Sequence, residues 1–373
     1  VSARALAGGS AVGFAAGWNI ADIGAVADEL SDVYGVGLAV MGLFTTVLFL
    51  THMLMQLPSG RLSDRFGAVR VCAAGLGALA ACNGVAAITA EPALGLAARL
   101  AMGVGTALSF IGGSDYVRAA GGSPFAQGLY GGLATAGGGV ALAVVPAVEE
   151  ALGWRAPFLT AIAVSAAAGG LLAIAPRASR PDARRIVRVP LTTIARDPDL
   201  LRLAVVFASS FGVSVVIGNW VVTLLEDNAG LSPESAGAIG ALTLVLGVVS
   251  RPLGGWVLHH APGRARVAIV AAAAIGAGGT LALTSRTPAV ALAGAALVGV
   301  AAGIPFATSF TGAARLHPEA PATAVGFVNG TGALTVLVLT PLVGVGFAYD
   351  AEVAAFVALA VLWAVGGLVL PRR

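Results

Sequence analysis

Gly60-Arg61-Leu62-Ser63-Asp64-Arg65-Phe66-Gly67-Ala68-Val69-Arg70 stands between two long apolar stretches and carries three arginines and one aspartate. A fainter copy, Gly255-Trp256-Val257-Leu258-His259-His260, follows 195 positions later (60 to 255), again at the end of an apolar stretch. A short charged turn between apolar runs of about 20 residues is what a chain needs to cross and recross about 30 Å of hydrocarbon, because charges are expelled to the membrane surface. Its recurrence at a fixed offset makes the chain two copies of one unit.

Composition agrees. Apolar residues are 58% of the 373 and charged residues 10%, against about 25% charged in soluble domains. The 52 glycines suit close packing of membrane helices. A soluble core is excluded by this balance. The net charge of +3 is carried in short inter-helix loops rather than on one face, which excludes a nucleic-acid binder. Cys72 and Cys82 fall in one predicted helix about 15 Å apart along its axis, so neither a disulfide nor a cysteine metal site is expected. The first apolar stretch lacks a cleavage pattern and is expected to stay as a span.

Twelve apolar stretches read as spans: 5–27, 37–58, 69–90, 93–115, 125–148, 156–176, 201–224, 235–257, 266–285, 288–312, 321–346 and 351–370. The one long polar break, 177–202, holds seven arginines and Pro181, Pro190 and Pro198. The expected organisation is a six-helix half at 1–176, a cytoplasmic linker at 177–200 and a second half at 201–373. With the N-terminus inside, 17 of the 21 arginines lie on the cytoplasmic side, as the positive-inside rule requires. The expected location is the inner (cytoplasmic) membrane, with both termini cytoplasmic. The repeat also pairs Gly35 with Gly230, Gly42 with Gly237, Gln56 with Arg251 and Pro176 with Pro371.

The opening run fills every fixed position of G-x-x-x-D-R-x-G-x-x-R and resembles the loop between helices 2 and 3 of the major facilitator superfamily. Arg99-Leu100-Ala101-Met102-Gly103-Val104-Gly105 resembles that family's helix-4 pattern, and Gly153-Trp154-Arg155-Ala156-Pro157-Phe158 a common segment before helix 6. The resemblance implies an all-α membrane protein of twelve helices, built as two parallel six-helix repeats with a substrate path between them. It implies secondary transport by alternating access. It also gives Gly60, Asp64, Arg65, Gly67, Arg70 and Asp115 a gating role. Asp64 would face the positive end of a helix from the other half, Arg65 would pair with Asp115, and the glycines would let helices approach. Solvated loop charges are the competing reading.

Asp22 on helix 1 and Arg99 on helix 4 fall at similar depth, so each is expected to face a partner or water. A proton-coupling pair and a structural ion pair both fit. Gln56 and Arg251 occupy equivalent places in helices 2 and 8. Arg251-Pro252-Leu253-Gly254-Gly255 resembles the helix-8 segment of nitrate/nitrite porters, where an arginine binds the anion; those porters carry a second arginine where this chain has Gln56. One guanidinium and one amide suit a single small anion; membership of the cytoplasmic gate is the other reading of Arg251. The Gly-rich runs Gly131–Gly139 and Gly326–Gly332 fall in helices 5 and 11, where the same porters carry Gly-rich signatures.

His52 lies one turn from Gln56 on the same face and reads as a substrate or pH-tuning residue, or as a hydrogen-bonded core histidine. Asn19 and Asn219, on cavity-lining helices 1 and 7 of the resembled fold, read as substrate-binding amides or as links between helices. No catalytic signature is present, and no cofactor or metal is expected. The expected protein is a monomeric, bilayer-embedded secondary transporter of a small solute, with a small anion first, driven by protons or exchange. A multidrug or metabolite exporter is the alternative in the same class, and a non-transporting membrane sensor in another.

Overall fold

The computed structural model describes residues 1–176 and 189–370. The first part of the polar break, residues 177–188 with five of its seven arginines, therefore lies outside the described residues, as do Pro371 and the terminal arginines.

Twelve helices of the expected order follow. They are α1 (Ala3–Ala21), α2 (Leu38–Leu54, continuing as Gln56–Phe66 after a 47° bend), α3 (Ala68–Ile88), α4 (Pro92–Ala119), α5 (Pro124–Leu152) and α6 (Ala156–Ile174). The second set is α7 (Pro198–Ala229), α8 (Pro233–His260), α9 (Ala265–Leu283), α10 (Pro288–Leu316), α11 (Pro321–Ala348) and α12 (Glu352–Leu368). No strand occurs among the described residues. Helices α4, α7, α8 and α10 open on proline, which costs nothing where the N–H has no helical partner. Ser2, Asp197 and Ser232 cap α1, α7 and α8 through their side chains.

One span differs from expectation. Helix 1 stops at Ala21 with Asp22 as its C-cap, and a single 3₁₀ turn (Gly24–Val26) leads into a separate helix, Ala27–Tyr34. That helix carries Asp28, Glu29 and Asp32 and buries only Leu30 and Tyr34. Its charged face belongs at the membrane surface rather than in hydrocarbon, so the crossing ends sooner than 5–27 implied.

The repeat is visible in local geometry. Gly35 and Gly230 both end a helix in the left-handed region, at φ 61° and 62°, a backbone state that glycine adopts without the Cβ clash. The helix pairings recur as well. In the first half α1 packs on α4 and α6, α3 on α4 and α6, and α2 on α4; in the second, α7 packs on α10 and α12, α9 on α10 and α12, and α8 on α10.

Two compact units emerge, and each takes a short segment from the other half of the sequence. The first holds Val1–Gly122, 133–176 and Glu319–Gly326; the second holds Ser123–Gly132, Val189–Pro318 and Phe327 onward. The start of α11 thus packs with the first unit and the start of α5 with the second. Inside the first unit Trp18, Leu30, Phe44, Leu48, Met102 and Phe158 form the main core. In the second, Val216, Ile217, Leu224, Val298, Phe356 and Trp363 do the same. Outward-facing Leu43, Leu54, Leu94, Val249, Val267 and Val345 are exposed; in lipid such faces carry no penalty.

Candidate functional site

Inside the first unit the charged run of residues 60–70 meets the start of α11. Asp64 caps the first turn of α11: its Oδ1 accepts the Ala322 N–H at 3.0 Å, and its Oδ2 accepts the Thr323 N–H at 2.8 Å and the Thr323 hydroxyl. Free N–H groups and the positive dipole end of α11 favour a carboxylate there by about 0.3–1 kcal/mol. Gly60 makes the approach possible, because a Cβ at that position would run into the Ala322 carbonyl. Gly67 turns the chain into α3 at φ 87°.

The partner expected for Asp115 is corrected. Asp115 accepts from Arg118 Nη2 at 2.6 Å and Nε at 2.8 Å, and from the Ser63 hydroxyl at 2.7 Å. Arg65 is exposed, with its guanidinium 4.9 Å from the Phe66 ring. Arg118 lies one turn along α4 from Asp115, so the intrahelical pair forms without ordering a second long side chain from another helix. Arg70 is exposed as well.

A second cluster is sealed within the first unit. Arg99 Nη1 donates to Asp22 Oδ1 at 2.9 Å, and the two side chains are 1% and 0% exposed. The same nitrogen reaches the Asn19 carbonyl at 3.3 Å. Asn19 gives its own amide hydrogen to the Ala15 carbonyl and accepts from Asn83 Nδ2 at 2.6 Å. The end of α1 is thereby tied to α3 and α4 by one connected polar network, in a place where an unpaired charge would cost several kcal/mol.

The third cluster lies in the second unit around Arg251, which is 8% exposed. Three helix irregularities meet there. Arg251 precedes Pro252 inside α8, Phe211 sits in a π-turn (Ala208–Gly212) that interrupts α7, and Phe306 follows the break between Gly303 and Pro305 in α10. Such departures re-aim side chains that a regular helix would point elsewhere. The guanidinium carbon lies 4.9 Å from the Phe306 ring and 5.3 Å from the Phe211 ring. Nη1 donates to the Gly131 carbonyl of α5 at 2.6 Å. Unlike Arg99, Arg251 has no carboxylate within ion-pair distance among the described residues.

Comparison with known proteins gives the family and the fold. The sequence profile described as Major Facilitator Superfamily matches residues 8–341. The chain belongs to the major facilitator superfamily. It is accordingly a multi-pass membrane transporter and not an enzyme. No curated protein matches it in sequence. Among solved structures, the E. coli fucose:proton symporter shares 16% identity over 98% of this chain and 97% of its own, at a TM-score of 0.76. A human organic anion transporter shares 15% over 99% and 100%, at 0.74. A proton:xylose symporter, solved with 6-bromo-6-deoxy-D-glucose, shares 13% over 98% and 94%, at 0.79. At identities this low, the likeness shows a shared fold and no more.

The remaining candidates of this major facilitator protein lie elsewhere on its helices, with partners of their own. His52 is 6% exposed, with Nδ1 2.9 Å from the Thr106 hydroxyl. That hydroxyl donates to the Gly103 carbonyl, so it accepts from His52, which fixes the Nδ1–H tautomer. Gln56 is fully buried and its amide donates to the His52 carbonyl at 3.1 Å. Asn219 is exposed, 3.2 Å from the Thr340 hydroxyl, and the adjacent Trp220 donates to the Thr340 carbonyl at 2.9 Å. Sequence reasoning passed over Asn83, Ser63, Thr106, Phe211 and Phe306. Only Arg118 carried a local signal, its three-residue spacing from Asp115.

Proposed function

We propose that the protein moves a small anion across the cytoplasmic membrane by alternating access, as a monomer with both termini in the cytoplasm, using proton coupling or exchange. The observation that carries this reading is the uncompensated guanidinium of Arg251. Arg99, at 1% exposure, is neutralised by Asp22; Arg251, nearly as buried, has a peptide carbonyl, two phenyl rings and the nearby Tyr130 but no carboxylate beside it among the described residues. Removing a cation from water without a counter-charge costs several kcal/mol, and an anionic substrate supplies that charge for part of each cycle. Proton coupling is assigned to the Asp22–Arg99 pair, because protonating the carboxylate releases the guanidinium. Two of the structural relatives are proton symporters and a third carries organic anions, so both elements of the proposal have precedent on this fold.

The test is a thermal-shift screen of the purified protein against small anions, sugars, amino acids and cationic drugs, repeated on Arg251→Gln and Arg99→Gln. Anion stabilisation that disappears in Arg251→Gln supports the proposal. Normal anion binding in Arg251→Gln together with its loss in Arg99→Gln moves the site to α1 and α4.

A further inference from the structure

The edge of Arg251 that remains free specifies more than charge. A guanidinium offers donors on two sides: Nη1 lies on the side of Cδ, whereas Nε–H and one Nη2–H point the same way along the opposite edge and form a parallel fork. In this protein Nη1 is occupied by the Gly131 carbonyl. Nε and Nη2 donate to nothing among the described residues, and neither is sealed by protein, in contrast to Nε and Nη2 of Arg99, which are. The free fork matches two coplanar oxygens on one carbon.

The walls beside that fork are aromatic. Phe306 and Phe211 flank the guanidinium and continue into Phe207 and Phe310: Phe207 and Phe211 stack at 5.1 Å and Phe306 and Phe310 at 4.2 Å between ring centroids. Phe207, Phe306 and Phe310 are at most 2% exposed, whereas Phe211 is only partly buried. A ligand held by the fork therefore meets an accessible phenyl ring. Of its other neighbours, Tyr130 is fully buried, and the Gly131 carbonyl is an acceptor that repels a further anionic oxygen. This set holds no second cation to match the second charge of phosphate.

Resting on the anion reading above, we infer that the substrate is a monocarboxylate with an apolar, preferably aromatic, body: its carboxylate bridges Nε and Nη2 of Arg251 and its body lies along Phe211. One guanidinium balances one negative charge. The aromatic contact contributes the dispersion that a hydrated inorganic ion cannot use.

Isothermal titration of the purified full-length protein with benzoate, acetate, nitrate and benzamide tests this. Benzoate is expected to bind at least about tenfold more tightly than acetate or nitrate, with benzamide, which lacks the charge, not binding. This ranking is read on the unsubstituted protein and needs no variant to fold. Arg251→Lys keeps the charge but loses the fork, and is expected to weaken benzoate about tenfold; Phe211→Leu is expected to bring benzoate down to the level of acetate. Nitrate or acetate binding as tightly as benzoate, still through Arg251, overturns the monocarboxylate inference and leaves the anion reading standing. Benzamide binding as well as benzoate, or no anion binding that depends on Arg251, overturns both.

Discussion

Asp64 and Thr323 stand 259 positions apart, and a single carboxylate oxygen of Asp64 accepts both the backbone N–H and the hydroxyl of Thr323. The other oxygen takes the N–H of Ala322. We propose that this carboxylate, with three donors at the start of α11 and Gly60 beneath it, acts as a latch that holds one state of the protein and releases it when those bonds break.

Replacing Asp64 by Asn therefore changes the latch and leaves the proposed substrate groups untouched. The amide removes the charge and turns an N–H donor toward the donors of α11. Losing charge-assisted bonds of this kind costs about 1.5–3 kcal/mol, which shifts a two-state balance by ten- to a hundredfold. Turnover in proteoliposomes should fall at least tenfold, on the order given by that shift, with ligand affinity changed only a few-fold. Gly60→Val should reproduce the defect by sterics alone, since its side chain meets the Ala322 carbonyl. Normal turnover in both variants would return residues 60–70 to the status of solvated loop charges.

The Asp22–Arg99 pair makes a prediction about stability as well as coupling. Removing one member of a buried ion pair strands the other and costs about 3–5 kcal/mol, whereas removing both costs less than the two single changes together. Arg99→Gln should lower the melting temperature markedly, and Asp22→Asn with Arg99→Gln should recover part of the loss. Asp22→Asn alone should keep substrate binding while losing proton-driven accumulation. A double substitution no better than Arg99→Gln would count against a coupled pair.

Topology is checked separately. With 17 of 21 arginines on one side of the twelve-span reading, reporter fusions after Arg188 and after Arg373 should both report cytoplasm. A periplasmic signal from either would overturn the orientation.

Much of the fold was legible because its signals are local. Gly35 and Gly230 are separated by the repeat length and adopt the same left-handed turn, and the prolines that open α4, α7, α8 and α10 mark real helix starts. Asp22 and Arg99 could be matched by counting rise along two helices. The rest depends on what faces what. Asn83 reads as one polar residue in an apolar run until α3 brings it 2.6 Å from Asn19. The phenyl rings around Arg251 are placed by a π-turn and a helix break, and a π-turn has no residue pattern that a 3.6-residue period reveals. Helix 1 was read as too long because Ala27–Tyr34 follows it after so short a turn.

Resemblance paired Arg65 with Asp115; the structure pairs Arg118 with it, through two nitrogens at 2.6 and 2.8 Å. Asp115 is 6% exposed and Arg118 38%, so the pair is screened on one side only and its worth lies below that of a fully buried bridge. Removing Arg118 nevertheless leaves a nearly buried carboxylate with only the Ser63 hydroxyl, and Ser63 sits on the same short helix as Asp64. The disturbance therefore reaches the latch through Ser63. Arg118→Gln should lower thermal stability and slow transport several-fold, whereas Arg65→Gln, which removes only an exposed guanidinium resting on Phe66, should leave stability nearly unchanged. Asp115→Asn in an Arg118→Gln background should restore part of the stability, because no unpaired charge then remains. If Arg65→Gln proves the more damaging of the two in turnover and melting temperature, Asp115 works with Arg65 during the cycle and the Arg118 pair is a resting arrangement.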